Sequence, residues 1–302
     1  MKKSSKFLVI LAAALLVLPA VAGASVVFDE STPGLILADG AGTGPDGSVG
    51  IIGFSGAASA SANLALTAGQ TYKIVASRKV LNFNNNLSFS LALNGVGCMW
   101  DDAFGPVSDV FEQKMYQGYY RPSAATTTVM VYNGGAWVAR LDYLDFQATS
   151  DVFFDEFSSP TFTGGAGPTA VSASGALTFN PGSNGMGFGG ADTVSSIVNL
   201  IAGAQYNVYA RRTIHDSGNL GYDISLDGSF FAHDAAATGS YNDGAAEGLI
   251  GQYTATSAAT NVLLSNGGPW AARVDYLRFE YIPEPATIAL LGLGFAAFRR
   301  RK

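Results

Sequence analysis

The stretch Asn133-Gly134-Gly135-Ala136-Trp137-Val138-Ala139-Arg140-Leu141-Asp142-Tyr143-Leu144-Asp145-Phe146 is matched without a gap by Asn266-Gly267-Gly268-Pro269-Trp270-Ala271-Ala272-Arg273-Val274-Asp275-Tyr276-Leu277-Arg278-Phe279. A match of this length inside one chain means a repeated unit, so the fold is decided by what one unit can form. Upstream the register holds: Leu66, Ala68-Gly69, Tyr72 and Arg78 answer Leu200, Ala202-Gly203, Tyr206 and Arg212, and Asn94-Gly95 answers Asp227-Gly228. Each unit opens alike, with Phe28-Asp29-Glu30 and Phe154-Asp155-Glu156. These correspondences set repeat 1 at residues 25–148 and repeat 2 at residues 151–282. The junction Gln147 to Ser150 is too short to let the two units roam.

Within a unit, short runs rich in Val, Ile, Tyr, Phe and Thr recur between Gly and Asn turns, as in Tyr72 to Ser77, Leu87 to Leu93, Thr127 to Tyr132 and Ala139 to Phe146. Such runs read as strands, and no segment from Ser25 to Ile282 keeps a helical period. About eight strands in roughly 125 residues predict two antiparallel sheets packed face to face, an all-β, jelly-roll-like sandwich in each repeat. Composition agrees: charged residues are 13% and Gly is 37 of 302, the texture of a turn-rich exported β protein. The single cysteine, Cys98, excludes an intramolecular disulfide, so the core must hold the fold, with or without a metal.

The two ends carry a different message. Lys2, Lys3 and Lys6 precede an apolar run from Phe7 to Leu18, then Pro19 and Ala22-Gly23-Ala24, the three parts of a secretory signal peptide spanning residues 1–24. At the other end Pro283-Glu284-Pro285 leads into an apolar stretch, Ala286 to Phe298, closed by Arg299-Arg300-Arg301-Lys302. The prolines prevent a helix from running back into Tyr281, so a helix begins only after them. Over Ala286 to Phe298 it spans roughly 20 Å at about 1.5 Å per residue, short of the roughly 30 Å of a bilayer core, which fits a transient anchor better than a permanent span. The terminal cations hold its end on the cytoplasmic side, and the missing polar face argues against a buried terminal helix of a soluble domain. This order of elements resembles the PEP-CTERM sorting signal of Gram-negative bacteria that export exopolysaccharide. The resemblance implies an exosortase as partner of residues 283–302, after signal peptidase at the N-terminus, with an inner-membrane intermediate and a final place at the cell surface, outer envelope or extracellular matrix.

Between its two ends the chain is acidic: ten basic and 22 acidic residues from Ser25 to Ile282 leave a net charge of about −12. No basic patch remains, which excludes nucleic acid as a partner. An Ala-Gly turn with a Tyr-led strand, a strand ending in Asn94-Gly95 or Asp227-Gly228, and a last strand written Leu141-Asp142-Tyr143-Leu144 or Val274-Asp275-Tyr276-Leu277 are similar to family 6 and family 35 carbohydrate-binding modules over half of each repeat.

Alternation along the last strand puts Arg140, Asp142, Leu144 and Phe146 on one face, with Arg273, Asp275, Leu277 and Phe279 equivalent, while Asp145 and Arg278, of opposite charge, read as a wet position. An Asp aligned with Leu and Phe is partly buried and needs a counter-charge. One reading pairs it with Arg78 or Arg140, and with Arg212 or Arg273 in repeat 2. The other, implied by the module resemblance, is a structural Ca²⁺ between first and last strands, held by Glu30 and Asp142 and by Glu156 and Asp275 with backbone carbonyls. Trp137 and Trp270 follow Asn-Gly-Gly turns, where an aromatic beside amide donors can hold a sugar ring. Asn133, Trp100, Tyr119 and Tyr120 complete such a surface in repeat 1, and Asn266, Tyr241 and Tyr253 in repeat 2; the competing reading has both tryptophans plugging the sandwich ends. His215 and His233 lack the further donors of a zinc site, the Gly-rich stretches Gly40 to Gly47 and Gly182 to Gly190 read as loops, and no set of residues points to catalysis. The expectation is therefore a non-enzymatic exported protein whose two sandwiches bind polysaccharide, the alternative being a purely structural exopolysaccharide or biofilm matrix protein without a glycan site.

Overall fold

The computed structural model of the chain describes residues 25–46, 49–54, 57–80, 89–100, 112–133, 139–170, 184–188, 190–214, 221–234, 246–265 and 272–283. The expected signal peptide and the expected apolar helix after Pro285 lie outside the described residues. Among the described residues no helix is long and apolar enough to cross a membrane.

Repeat 1 folds into β1 (Val26–Asp29), β2 (Ile36–Ala38), β3 (Gly42–Asp46), β4 (Val49–Phe54), β5 (Ser59–Ala65), β6 (Tyr72–Val80), β7 (Phe89–Leu93), β8 (Val96–Trp100), β9 (Glu112–Tyr120), β10 (Thr126–Asn133) and β11 (Ala139–Ala148). Repeat 2 supplies β12 (Val152–Asp155), a short 3-10 helix at Glu156–Ser158, then β13 (Thr161–Thr163), β14 (Gly167–Ala170), β15 (Asn184–Phe188), β16 (Thr193–Asn199), β17 (Gln205–Ile214), β18 (Tyr222–Leu226), β19 (Ser229–Asp234), β20 (Ala246–Thr254), β21 (Ala259–Ser265) and β22 (Ala272–Ile282). One sheet of repeat 1 runs β3-β4-β11-β6-β9 with β1 also on β11, and the other runs β2-β5-β10-β7-β8. Repeat 2 reproduces both orders strand for strand, as β14-β15-β22-β17-β20 with β12 on β22, and β13-β16-β21-β18-β19. Each repeat is thus an antiparallel sandwich, the all-β class its turn spacing predicts.

Strands outnumber that expectation because short glycine-rich strands do not announce themselves. β3 is Gly-Thr-Gly-Pro-Asp and β15 is Asn-Gly-Met-Gly-Phe, inside stretches that read as loops. Pro45 is tolerated because β3 is an edge, and Met186 and Phe188 of β15 are buried in the core.

Two hydrophobic cores result. The first packs Phe28, Ile52, Leu64, Ile74, Leu91, Val129, Leu141, Leu144 and Phe146 between its sheets. The second packs Phe154, Met186, Val198, Val208, Ile224, Val262, Val274, Leu277 and Phe279 in the corresponding places. Two turn devices recur. Tyr72 and Tyr206 reach back so that their hydroxyls accept the amides of Thr67 and Ile201, at 3.0 and 2.8 Å, closing the Ala-Gly turns. Asn94-Gly95 and Asp227-Gly228 both take positive φ, at 52° and 78° and at 51° and 75°, as a two-residue β-hairpin turn requires. Their side chains also accept the Thr128 and Asn261 amides at 2.9 and 2.8 Å, bolting each hairpin to β10 or β21.

Candidate functional site

Asp142 and Asp275 sit where the last strand changes partner. β11 pairs with β1 up to Asp29 opposite Tyr143, and with β4 from Ile52 opposite Leu141, so Asp142 lies at the handover. Its pairing with β6 jumps between Leu141 and Tyr143, which makes Asp142 the extra residue of a β-bulge. β22 repeats this between Val274 and Tyr276, with Asp275 as the extra residue. The bulge corrects the simple alternation: Leu141, Leu144 and Phe146 join the core, and Arg140 turns away to pair with Asp46 at 2.8 Å. Arg140 is therefore not placed as the partner of Asp142, and the side chains of Arg78, Arg212 and Arg273 lie outside the described residues.

The opening Phe-Asp-Glu of each repeat explains itself residue by residue. Phe28 and Phe154 enter the two cores. Asp29 and Asp155 tie the turn that follows: Asp29 Oδ1 accepts Ser31 Oγ at 2.7 Å, and Asp155 Oδ1 accepts Ser158 Oγ at 2.7 Å. Glu30 and Glu156 then stand one residue past the β1 and β12 pairings, alongside Asp142 and Asp275 on the neighbouring strand. Gly50 of β4 leaves the room that the Glu30 carboxylate fills, since a Cβ there would meet Oε1 at 1.8 Å.

The two bulges differ in charge. Asp275 is fully buried and neither carboxylate oxygen accepts a hydrogen bond. Arg211 Nε stands 3.5 Å from Oδ2. Burial pushes the Asp275 carboxyl up to about 7 against the pull of Arg211, and the charge of Asp155 adds to the rise. In β6 the place of Arg211, opposite the last-strand tyrosine, is taken by Ser77. Asp142 is half-buried. Among the described residues no group of three or more His, Cys, Asp or Glu forms a ligand set, so any ion here needs backbone carbonyls as well.

The expected sugar surface is split by the fold. Trp137, Trp270, Asn266 and Tyr241 lie outside the described residues, as do the side chains of Asn133 and Trp100. The backbones of Asn133 and Trp100 meet at one end of β7, opposite Phe89 and Ser90. Tyr120 belongs to the other end, where its hydroxyl contacts Asn94 Nδ2 at 3.3 Å and Thr127 Oγ1 at 3.0 Å beside the hairpin turn. It is 1% exposed and part of the core, so it offers no ring to a sugar. Tyr253 is its counterpart, donating to Asp227 Oδ2 at 2.8 Å and packing edge-on against Phe231. Tyr120 is thereby corrected from a sugar contact to a fold residue, while Tyr253 stays half-buried. His233, exposed, pairs with Asp223 at 2.6 Å.

Sequence reasoning missed the seam between the sandwiches. Tyr119 of β9, buried here, packs against Phe153 and Tyr276 of repeat 2 with ring centroids 4.8 and 5.7 Å away. Arg278 lies 4.0 Å from the Tyr209 ring centroid and 5.6 Å from that of Tyr119, and pairs with Asp151 at 2.8 Å and with Glu247. It is 6% exposed, which corrects its reading as a wet position. Arg121 reaches across to Asp155 at 3.2 Å, and Gln70 Nε2 donates to the Thr149 carbonyl at 2.8 Å. The signal was in the sequence: Asp145 against Arg278 reverses charge because only one copy of that face is covered by the other repeat.

The fold and seam define a class, the docked tandem β-sandwich. Solved structures that the chain resembles include a Paenibacillus xanthan lyase, at 16% identity over 85% of this chain and 26% of that one, with a TM-score of 0.37. A tandem of two family 22 carbohydrate-binding modules from Paenibacillus barcinonensis matches at 12% identity over 87% and 98% of the two chains, with a TM-score of 0.31. The ANX2 ectodomain of Arabidopsis thaliana matches at 8% identity over 84% and 90%, with a TM-score of 0.28. No curated protein matches the chain. Residues 282–302 match the PEP-CTERM protein-sorting motif. The chain carries that motif at its C-terminal end, which indicates exosortase-mediated sorting and export to the surface or the extracellular space.

Proposed function

We propose that this is an exported protein of a Gram-negative surface or matrix that binds polysaccharide without cutting it, with a module in each sandwich. The observation that carries the reading is the repeated loop between the last two strands. Residues 134–138 and 266–271 join one sheet to the other, from β10 to β11 and from β21 to β22, and hold Trp137 and Trp270 after Asn133 and Asn266. An aromatic residue next to amide side chains in such a connection fits the apolar face and hydroxyl edge of a sugar. Trp137→Ala with Trp270→Ala tests it: lost retention on insoluble polysaccharide with an unchanged melting temperature supports binding, whereas lost folding makes the tryptophans plugs. The seam favours a second reading, a rigid matrix spacer with no glycan site, which predicts no retention in the wild type.

We assign the structural cation of this reading to repeat 1. Glu30 and Asp142 there have Ser77 where repeat 2 has Arg211, so an oxygen-loving divalent ion such as Ca²⁺ meets no fixed positive charge from that position. In repeat 2, Arg211 Nε stands 3.5 Å from Asp275, so a cation beside Asp275 would meet a fixed positive charge. Calcium is expected to raise the melting temperature of the wild type and of Asp275→Asn but not of Asp142→Asn, equivalent to about 2.7 kcal/mol at a hundredfold excess over Kd. A rise that survives in Asp142→Asn, or no rise at all, removes the assignment.

A further inference from the structure

The sandwiches do not close completely over one another. Beside the seam an open cleft of about 560 Å³ runs between the turn Gly69-Gln70-Thr71 of repeat 1, the junction from Thr149 to Phe153, and the end of β16 in repeat 2. That volume lies within the roughly 300–1,000 Å³ of small-molecule sites. Its floor is set by hydrogen bonds that tie the junction to repeat 1: the Thr149 amide donates to the Thr71 carbonyl at 3.0 Å, Gln70 holds the Thr149 carbonyl, and within repeat 1 Arg121 Nε donates to Thr71 Oγ1 at 3.1 Å. The cleft is therefore built before any ligand arrives.

Two of its wall residues keep their side chains out of the core. Ile197 is 61% exposed, and Asn199 at the end of β16 is also exposed. Both project from a strand whose core-facing members are Val194, Val198 and, just beyond, Leu200. The equivalent residues of β5 are Asn63 and Ala65, given that Leu66 answers Leu200, and they do not line this cleft. Repeat 2 thus places an aliphatic patch and a carboxamide on the one copy of the strand that faces the partner sandwich. The nearby charges are matched within the protein, Arg121 by Asp155 and Asp151 by Arg278.

We propose that this cleft is a second carbohydrate site, taking a short stretch of neutral oligosaccharide. The sugar lays an apolar ring face on Ile197 and Val152 and turns its hydroxyls to Asn199 and Ser150. Paired charges and an aliphatic wall select a neutral ligand over an anionic one. This deepens the polysaccharide-binding reading and depends on it, but uses residues separate from the Trp137 and Trp270 loops.

The test is saturation-transfer NMR and titration of the full chain with short neutral gluco- and xylo-oligosaccharides, alongside retention on the insoluble polymers. Asn199→Trp, which fills the cleft, and Ile197→Asn, which restores the repeat 1 residue, are compared with the Trp137→Ala, Trp270→Ala protein, with melting temperatures as the folding control. Loss of oligosaccharide affinity by about tenfold or more in Asn199→Trp and a smaller loss in Ile197→Asn, with the tryptophan variant unaffected, supports the cleft. Oligosaccharide binding that survives in Asn199→Trp, or that disappears only with the tryptophans, overturns the cleft and leaves polymer binding standing. Absence of binding to both oligosaccharide and polymer overturns both.

Discussion

Asp275 and Arg278, three residues apart on β22, illustrate how the same strand handles charge in two ways. Asp275 has a folded pKa of about 7, above the roughly 3.9 of a free aspartate, so between these values only the folded state keeps the proton. Its contribution to stability is full below about pH 4 and is lost as pH rises through 7. In chelator, Asp275→Asn should therefore gain in melting temperature relative to wild type as pH moves from 4 to 7.5, and a constant difference across that range would contradict the placement. Arg278 instead is held charged by Glu247 and Asp151. Its removal strands two carboxylates at a buried seam, so Arg278→Ala should cost about 3 kcal/mol in urea unfolding. The Asp at 142 and 275 was legible in the sequence as a residue needing a partner, but Arg211 was not. A bulge shifts which side chains converge, and strict alternation cannot foresee it.

At the scale of elements, the tight turns were the most legible part. Asn94-Gly95 and Asp227-Gly228 encode their own geometry, because left-handed backbone is easy only for such residues. Gly95→Ala and Gly228→Ala should each cost about 1 kcal/mol, visible in denaturant midpoints, whereas Gly42→Ala, with open space around it and ordinary φ, should change little. The long central strands were legible for the same reason, since their apolar residues recur at spacing two. What the pattern hid were short glycine-rich strands such as β3, an edge, and β15, held between β14 and β22, whose few side chains leave a weak signature. Tyr120 was misread because a tyrosine after a polar run looks available for ligand. The Asn94 side chain, more than twenty residues away, claims its hydroxyl end.

Across the whole molecule, the repeats diverge where they meet. Tyr119, which enters the seam, has Gln252 as its counterpart on β20, and Phe153 and Arg278 have Val27 and Asp145 on the exposed face of repeat 1. The outer faces of the two sandwiches therefore lack the residues that make this seam. Fixed docking also sets any two glycan sites at one spacing, so binding to a polymer gains by avidity where the polymer matches it. The central claim is that an exported, motif-sorted tandem holds polysaccharide, and it is tested most directly by presenting the segment Ser25 to Ile282, shown to be folded, to an array of polysaccharides with and without calcium. Retention on a defined class of glycan, weakened by Trp137→Ala with Trp270→Ala, is the result predicted. Silence of the folded protein across the array in both conditions would contradict the account and leave the sandwiches as a structural spacer.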